Sequence, residues 1–306
     1  MKGGWLLPIA IVAAAARGQE SIPYSEAVGE GGGALTLDYY KPAPGGALAH
    51  PAAILLHGGD LVSGSSRDED TVGLAGLLSR AGYAVFAINY RLAPGRPYPA
   101  ALDDVTRAIR FVRLNGRRWR VNPKQLALVG TDAGGYLASL AGVQGSVAQP
   151  GSTDAVGRQS AEVQAVVSFF AYSDFRGWPV SLALRSFLLP LIEAQGLEQA
   201  LATVSPVMKI RPGAPPFLLI HGDADEVVPM VQSTHWQNAL QAAGVKCNLM
   251  LIGGGGHDAG EWARLPGVRN WAEEMVTWLD ATLGRRAGRY AGVKERAPKT
   301  AGQLSR

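Results

Sequence analysis

Short apolar runs alternate with stretches of helical period along most of the chain. Leu35–Tyr39 switches between apolar and polar positions and predicts a strand. Ala52–Leu56 is an unbroken apolar run that stops at His57-Gly58-Gly59. Tyr83–Asn89, Leu126–Val129, Val163–Phe170, Phe217–Ile220 and Val245–Ile252 predict further strands of the same buried kind. Between them lie helical patterns. Thr71–Arg80 is closed by Gly82, and Pro99–Leu114 carries Ala101, Val105, Ala108, Ile109 and Val112 on one face. Tyr136–Val143, Met230–Ala243 and Asn270–Leu283 predict three more helices. Strands without a polar face need cover on both sides, and strands alternating with helices can run parallel. The expected class is therefore α/β, a mostly parallel central sheet with helices on both faces.

One stretch breaks the alternation. Asp174–Arg211 holds Trp178, Pro179 and the apolar run Phe187–Ile192 without strand-like punctuation. It predicts a helical insertion packed over the carboxyl ends of the strands, where it would wall a binding pocket.

The two ends read differently from the body. Lys2 precedes the apolar run Trp5–Ala16, which at about a dozen residues is too short for a membrane span of about 20. Ala14-Ala15-Ala16 then offers a small-residue cleavage site, so residues 1–18 read as a signal peptide and the protein as secreted or periplasmic. Residues 19–283 form the folded domain. Residues 284–306 hold seven basic side chains and the single acid Glu295, and predict a basic, disordered tail.

Composition adds little beyond this. The 306 residues are 47% hydrophobic and 18% charged, ordinary for a globular protein. The formal charge of +4 arises in the tail, which carries +6 and leaves the rest at −2. The sequence therefore predicts no nucleic-acid partner. Cys247 is the one cysteine, which excludes an internal disulfide framework and a multi-cysteine metal site. No metal-ligand spacing or phosphate-loop pattern is present, so neither a metal nor a nucleotide cofactor is expected. Oligomeric state stays open.

The candidate chemistry gathers at predicted strand ends. In an open parallel sheet, ligands bind beyond the carboxyl ends of the strands. His57-Gly58-Gly59 follows one strand, and its glycines let backbone N–H groups turn toward a bound anion. Gly130-Thr131-Asp132-Ala133-Gly134-Gly135 lies between a strand and a helix, with small residues flanking Asp132. His221-Gly222-Asp223-Ala224-Asp225 follows another strand, and Gly253–Gly256 leads into His257 after the last. Of the five histidines, His50 precedes Pro51 in a loop, His57 belongs to the glycine turn, His221 ends a strand and His235 lies on a helix. Only His257 sits in a glycine-rich turn beyond the last strand.

The order of elbow, acid and histidine, together with Asn89-Tyr90-Arg91-Leu92-Ala93-Pro94 and Pro99-Ala100-Ala101-Leu102-Asp103-Asp104, resembles the α/β-hydrolase superfamily. Within it the chain is similar to the esterase/lipase group of hormone-sensitive lipase and bacterial feruloyl-esterase-like (BD-FAE-like) proteins, over about residues 34–283. The resemblance implies an α/β-hydrolase fold and a small-molecule ester as substrate. It implies His257 as general base and Asp225 as the acid orienting it, with Asp223 the rival. It also implies the N–H groups of Gly58, Gly59 and Ala133 as oxyanion donors, supported by His57, Gly130 and Gly134.

The chain departs from that pattern at two points. Asp132 stands where the family has its nucleophilic serine, and Asp60 stands where it has the third glycine of His-Gly-Gly-Gly. A carboxylate near pKa 4 is already ionised and needs no base to activate it. Three readings stay open: an aspartate nucleophile with His257 activating water, a water jointly activated by Asp132 and His257, or a binding protein that keeps the fold. An esterase-like hydrolase is the expectation among them.

Overall fold

A computed structural model of the protein describes residues 20–28, 32–44, 48–268 and 270–285. The unbroken apolar run Ala52–Leu56 becomes the middle of a sheet. Strand β3 (His50–Leu56) is buried on both faces, and it pairs in parallel with β4 (Ala84–Ile88) and β5 (Val121–Thr131). Beyond β5 the parallel ladder continues through β6 (Ala165–Phe169), β7 (Phe217–Gly222) and β8 (Cys247–Ile252). On the other side, β2 (Ala34–Tyr40) joins β4 antiparallel and β1 (Glu20–Val28) joins β2 antiparallel. The spatial order is β1-β2-β4-β3-β5-β6-β7-β8. β1 is a strand that the hydrophobic pattern does not announce, and His50, read as a loop residue, opens β3.

Alternation along each strand divides the core. Ile54, Leu56, Phe86 and Leu128 point to one face, under helices α2 (Ala100–Asn115) and α3 (Ala133–Gln144). Ala53, Leu55, Val85 and Val129 point to the other, under α1 (Glu69–Arg80) and the last helix, α8 (Trp271–Thr282). Two apolar interiors on one sheet explain why the central strands β3 and β4 carry no polar face. None of the helices among the described residues is long and apolar enough to cross a membrane.

Residues 174–211 are helical, as the pattern predicts, forming α4 (Leu182–Gln195) and α5 (Leu197–Val204). Their seat lies beside the turn from β5 into α3, since Tyr136 is in the first turn of that helix. Phe187 is buried against Tyr98 and Tyr136, with ring centroids 5.7 and 6.4 Å apart, so α4 is anchored on the loop before α2 and on α3. The large cavity at the strand ends has other walls, described below. The opening of the proposed tail differs from expectation. Arg285 pairs with Asp280 at 2.8 Å and lies over the ring of Tyr83, so the folded part extends past residue 283. The proposed signal peptide and residues 286–306 lie outside the described residues.

Candidate active site

The site is built from three turns at the carboxyl ends of β3, β5 and β7, and from the loop between β8 and the short α7 (Ala259–Trp262). The sharpest is the turn from β5 into α3. Asp132 has φ 51° and ψ −119°, a conformation that side-chain-bearing residues rarely adopt. Its neighbours leave it no alternative. A Cβ on Gly134 would lie 2.1 Å from the Leu56 carbonyl oxygen, and one on Gly130 would lie 2.3 Å from the Gly134 carbonyl carbon. Only glycine allows α3 to start this close to β3.

The Asp132 carboxylate reaches the first glycine turn. Gly59 N donates to Oδ2 at 2.9 Å and Asp60 N donates to the same oxygen at 3.3 Å. The expected donor pair in this turn was Gly58 and Gly59. The amides of this turn that face the Asp132 carboxylate are those of Gly59 and Asp60, where Gly59 and Asp60 both take positive φ (104° and 54°). Gly58 instead gives room: a Cβ there would meet Asp132 Oδ2 at 3.1 Å. His57 is stacked on Tyr90 with centroids 4.1 Å apart, and it packs beneath the turn rather than facing the carboxylate.

Asp225 and His257 meet as a pair. His257 Nδ1 lies 2.8 Å from Asp225 Oδ2, while Asp225 Oδ1 accepts the Val227 and Val228 N–H groups at 2.9 Å each. Asp223 faces elsewhere, accepting the Gly254 N–H at 2.7 Å. The other ring nitrogen of His257 is 3.8 Å from Asp132 Oδ1, an ion-pair distance rather than a hydrogen bond. Asp132, His257 and Asp225 thus lie in one line, with the Asp132 carboxylate bridging the base and the turn amides.

Charge follows this geometry. Burial pushes the Asp132 carboxyl up, but His257 and the Gly59 and Ala133 amides outweigh it and hold it below the usual carboxylate range. Burial pulls His257 down, and the Asp132 and Asp225 carboxylates more than reverse this, so it titrates above an ordinary histidine. Asp60 is raised by burial and by the neighbouring Asp132 charge.

A cavity of about 1180 Å³ opens beside Asp132 and His257. Its walls come from α1 (Leu74, Leu77) and from the segment before α8 (Leu265, Val268), with no contribution from residues 174–211. Phe170, whose ring centroid is 4.5 Å from that of His257, also lines it. Phe170 directly follows β6, at the sheet edge where ligands bind, and that position was the signal for it. Asp70 on the same wall is pushed up to about 6, by burial first and then by Asp258 and Glu69.

Comparison with known proteins agrees with this architecture. The family model described as BD-FAE matches residues 37–240. The probable carboxylic ester hydrolase LipM of Mycobacterium tuberculosis is 32% identical over 224 residues, covering 70% of this chain and 50% of its own length. An ethyl acetate hydrolase of Pseudomonas putida is 30% identical over 258 residues, covering 80% of this chain and 76% of its own. Esterase LipQ of M. tuberculosis is 29% identical, covering 89% of this chain and 64% of its own. The chain thus spans about half to two thirds of the two M. tuberculosis relatives. Among solved structures, a truncated carbohydrate esterase from gut microbiota superposes with TM-score 0.73 at 25% identity, covering 87% of this chain and 95% of its own. An acetyl ester-xyloside bifunctional hydrolase from Caldicellulosiruptor lactoaceticus superposes with TM-score 0.75 at 24% identity, covering 86% and 96%, and shares the fold.

Proposed function

The chain belongs to the BD-FAE family, an α/β-hydrolase esterase family, and from that premise we propose that it hydrolyses small carboxylic esters. Asp132, Asp225 and His257 form the reacting centre in this reading. The observation that carries it is a convergence on one side chain. Asp132 Oδ1 faces His257, and Oδ2 holds the amides of Gly59 and Asp60. A base and a set of carbonyl-polarising donors therefore share a single locus.

Water is the attacking group in this mechanism. If Asp132 attacked the ester itself, the tetrahedral adduct would hold a carboxylate and an alkoxide as rival leaving groups. The carboxylate, the far weaker base, would leave first and return the substrate. Neutral His257 instead takes a proton from water through Nε2, while Asp225 holds Nδ1–H and stabilises the imidazolium that forms. The substrate carbonyl takes up the Gly59, Asp60 and Ala133 amides as Asp132 Oδ2 withdraws from them. His257 then returns its proton to the departing alkoxide. Turnover of a short-chain nitrophenyl ester by wild type, lost in His257→Ala, supports this reading. In heavy-oxygen water the label should enter the acid product in a single turnover and leave Asp132 unlabelled. Label in Asp132 would instead establish covalent attack by the aspartate, including attack at saturated carbon.

A second reading rests on one observation: the amides that an ester carbonyl needs are already engaged by Asp132. On that reading the protein keeps the family fold and cavity for binding. An inert wild type beside an active Asp132→Ser would decide for it. We also propose export through residues 1–18, tested by N-terminal sequencing of the mature protein.

A further inference from the structure

Behind Asp225 lies a second histidine that the proposed reaction does not use. His221 is the penultimate residue of β7 and is 0% exposed. Its Nε2 is 2.8 Å from the Val228 carbonyl oxygen and 3.3 Å from Asp225 Oδ2, and its Nδ1 is 2.7 Å from Ser233 Oγ on α6 (Val231–Ala242).

These partners decide where the ring proton sits. A carbonyl oxygen only accepts, so Nε2 carries the hydrogen, and Nδ1 keeps its lone pair and accepts from the Ser233 hydroxyl. The Nε2–H is then shared between the Val228 carbonyl and Asp225 Oδ2, the same oxygen that receives His257 Nδ1–H. Burial pulls the pKa of His221 down, in keeping with a neutral ring. An apolar side chain would fill this space without desolvating two nitrogens, so packing alone gives no reason for an imidazole here.

We propose that His221, held in its Nε2–H tautomer by Ser233, is a positioning residue that fixes Asp225 Oδ2 against His257 Nδ1. The inference rests on the reading of Asp225 and His257 as the acid and base pair. Asp225 sits on the turn 223–228, not on a regular element, and its Oδ1 is fixed by that turn's own Val227 and Val228 amides. His221 supplies the tie to the strand. It bonds the turn's last carbonyl at 2.8 Å and lies 3.3 Å from Oδ2, so a rotation of Asp225 away from His257 would also part its carboxylate from a buried N–H anchored on the strand.

The test uses the full chain with nitrogen-15-labelled histidine, read by NMR without need of turnover. The wild type is expected to show His221 as the Nε2–H tautomer and a persistent His257 Nδ1–H resonance. His221→Leu should broaden that resonance by solvent exchange and move the His257 titration midpoint down, because Asp225 no longer stays against it. His221→Gln, whose side-chain N–H reaches the same point, should restore both. A folded His221→Leu with an unchanged His257 resonance and midpoint overturns the proposal. Should His221→Leu not fold, Ser233→Ala decides. Mixed His221 tautomers with faster His257 Nδ1–H exchange support the role, and an unchanged spectrum overturns it. Ester hydrolysis in the same variants reads the proposed function separately. There kcat should fall at least about tenfold in His221→Leu with KM little changed. An inert wild type with the NMR response intact overturns the hydrolase reading and leaves the positioning role standing.

Discussion

The Asp132 carboxylate accepts the Gly59 N–H at 2.9 Å, and so, in the proposed reaction, occupies the place where an ester carbonyl would be polarised. An acid at this turn is thus both a neighbour of the base and a competitor for the donors. Replacing it separates these effects. Asp132→Ser should raise hydrolysis of a short-chain nitrophenyl ester by about 10² or more, the scale on which freeing an oxyanion donor acts. Asp132→Ala frees the donors but leaves water as the attacking group, with no hydroxyl held beside His257, and should stay well below Asp132→Ser. Equal rates for wild type and a folded Asp132→Ser would count against a competent set of amides.

The pH dependence follows from His257. The base acts when neutral, and the Asp132 and Asp225 charges raise its pKa above the ordinary histidine value. Wild-type turnover should therefore climb with pH through a midpoint above 6.5. In Asp132→Ser one of the two anions is gone, so the midpoint should move down. A rate–pH profile of both proteins, taken as kcat/KM, checks the sign. A midpoint that rises in the variant contradicts this assignment of the base.

Asp70 predicts a stability effect with its own pH window. Its carboxyl titrates at about 6 in the folded protein, against 3.8 ordinarily. Between those values the folded state holds a proton that the unfolded state has released, so rising pH destabilises the fold across that window. Above it the full cost applies, on the order of 1 kcal/mol once solvent screening of this partly exposed carboxylate is allowed for. Asp70→Asn should raise Tm at pH 8, and the gain should shrink to nothing as pH falls toward 4. Thermal melts across that range decide the matter.

Gly134→Ala tests the elbow. The added methyl would lie 2.1 Å from the Leu56 carbonyl oxygen and 2.4 Å from that of His57, both backbone atoms that cannot rotate aside. We expect a loss of more than about 3 kcal/mol in urea unfolding, or no folded protein. Gly151→Ala, where an added Cβ meets nothing within 4 Å, serves as the control.

Much of this was legible in the sequence, for physical reasons. β3, β4 and β6 are buried on both faces, so their sequences are apolar apart from His50, which opens β3, and Ser168 in β6. The positions of Asp132, Asp225 and His257 followed from chain order along a sheet edge. β1 was not legible: Pro23 interrupts its apolar alternation, and its place is set by pairing with β2. That the Asp60 amide rather than that of Gly58 meets the carboxylate was not legible, because an amide's direction depends on backbone dihedrals and Asp60 does not announce its positive φ. The cavity walls were missed for another reason. Apolar content marks residues 174–211 as helical, but only the seat of Phe187 between Tyr98 and Tyr136 shows which surface they cover.

The carboxylate at position 132 also changes how this protein would register in a survey of a living culture. Fluorophosphonate reagents find esterases by letting a catalytic hydroxyl attack phosphorus and keep it as a stable ester. Here the atom at that turn is an acid oxygen whose phosphoryl adduct is a mixed anhydride, open to water. Such a survey would pass over this chain whatever its rate of turnover, and silence toward serine-directed labels would say nothing about whether it consumes esters.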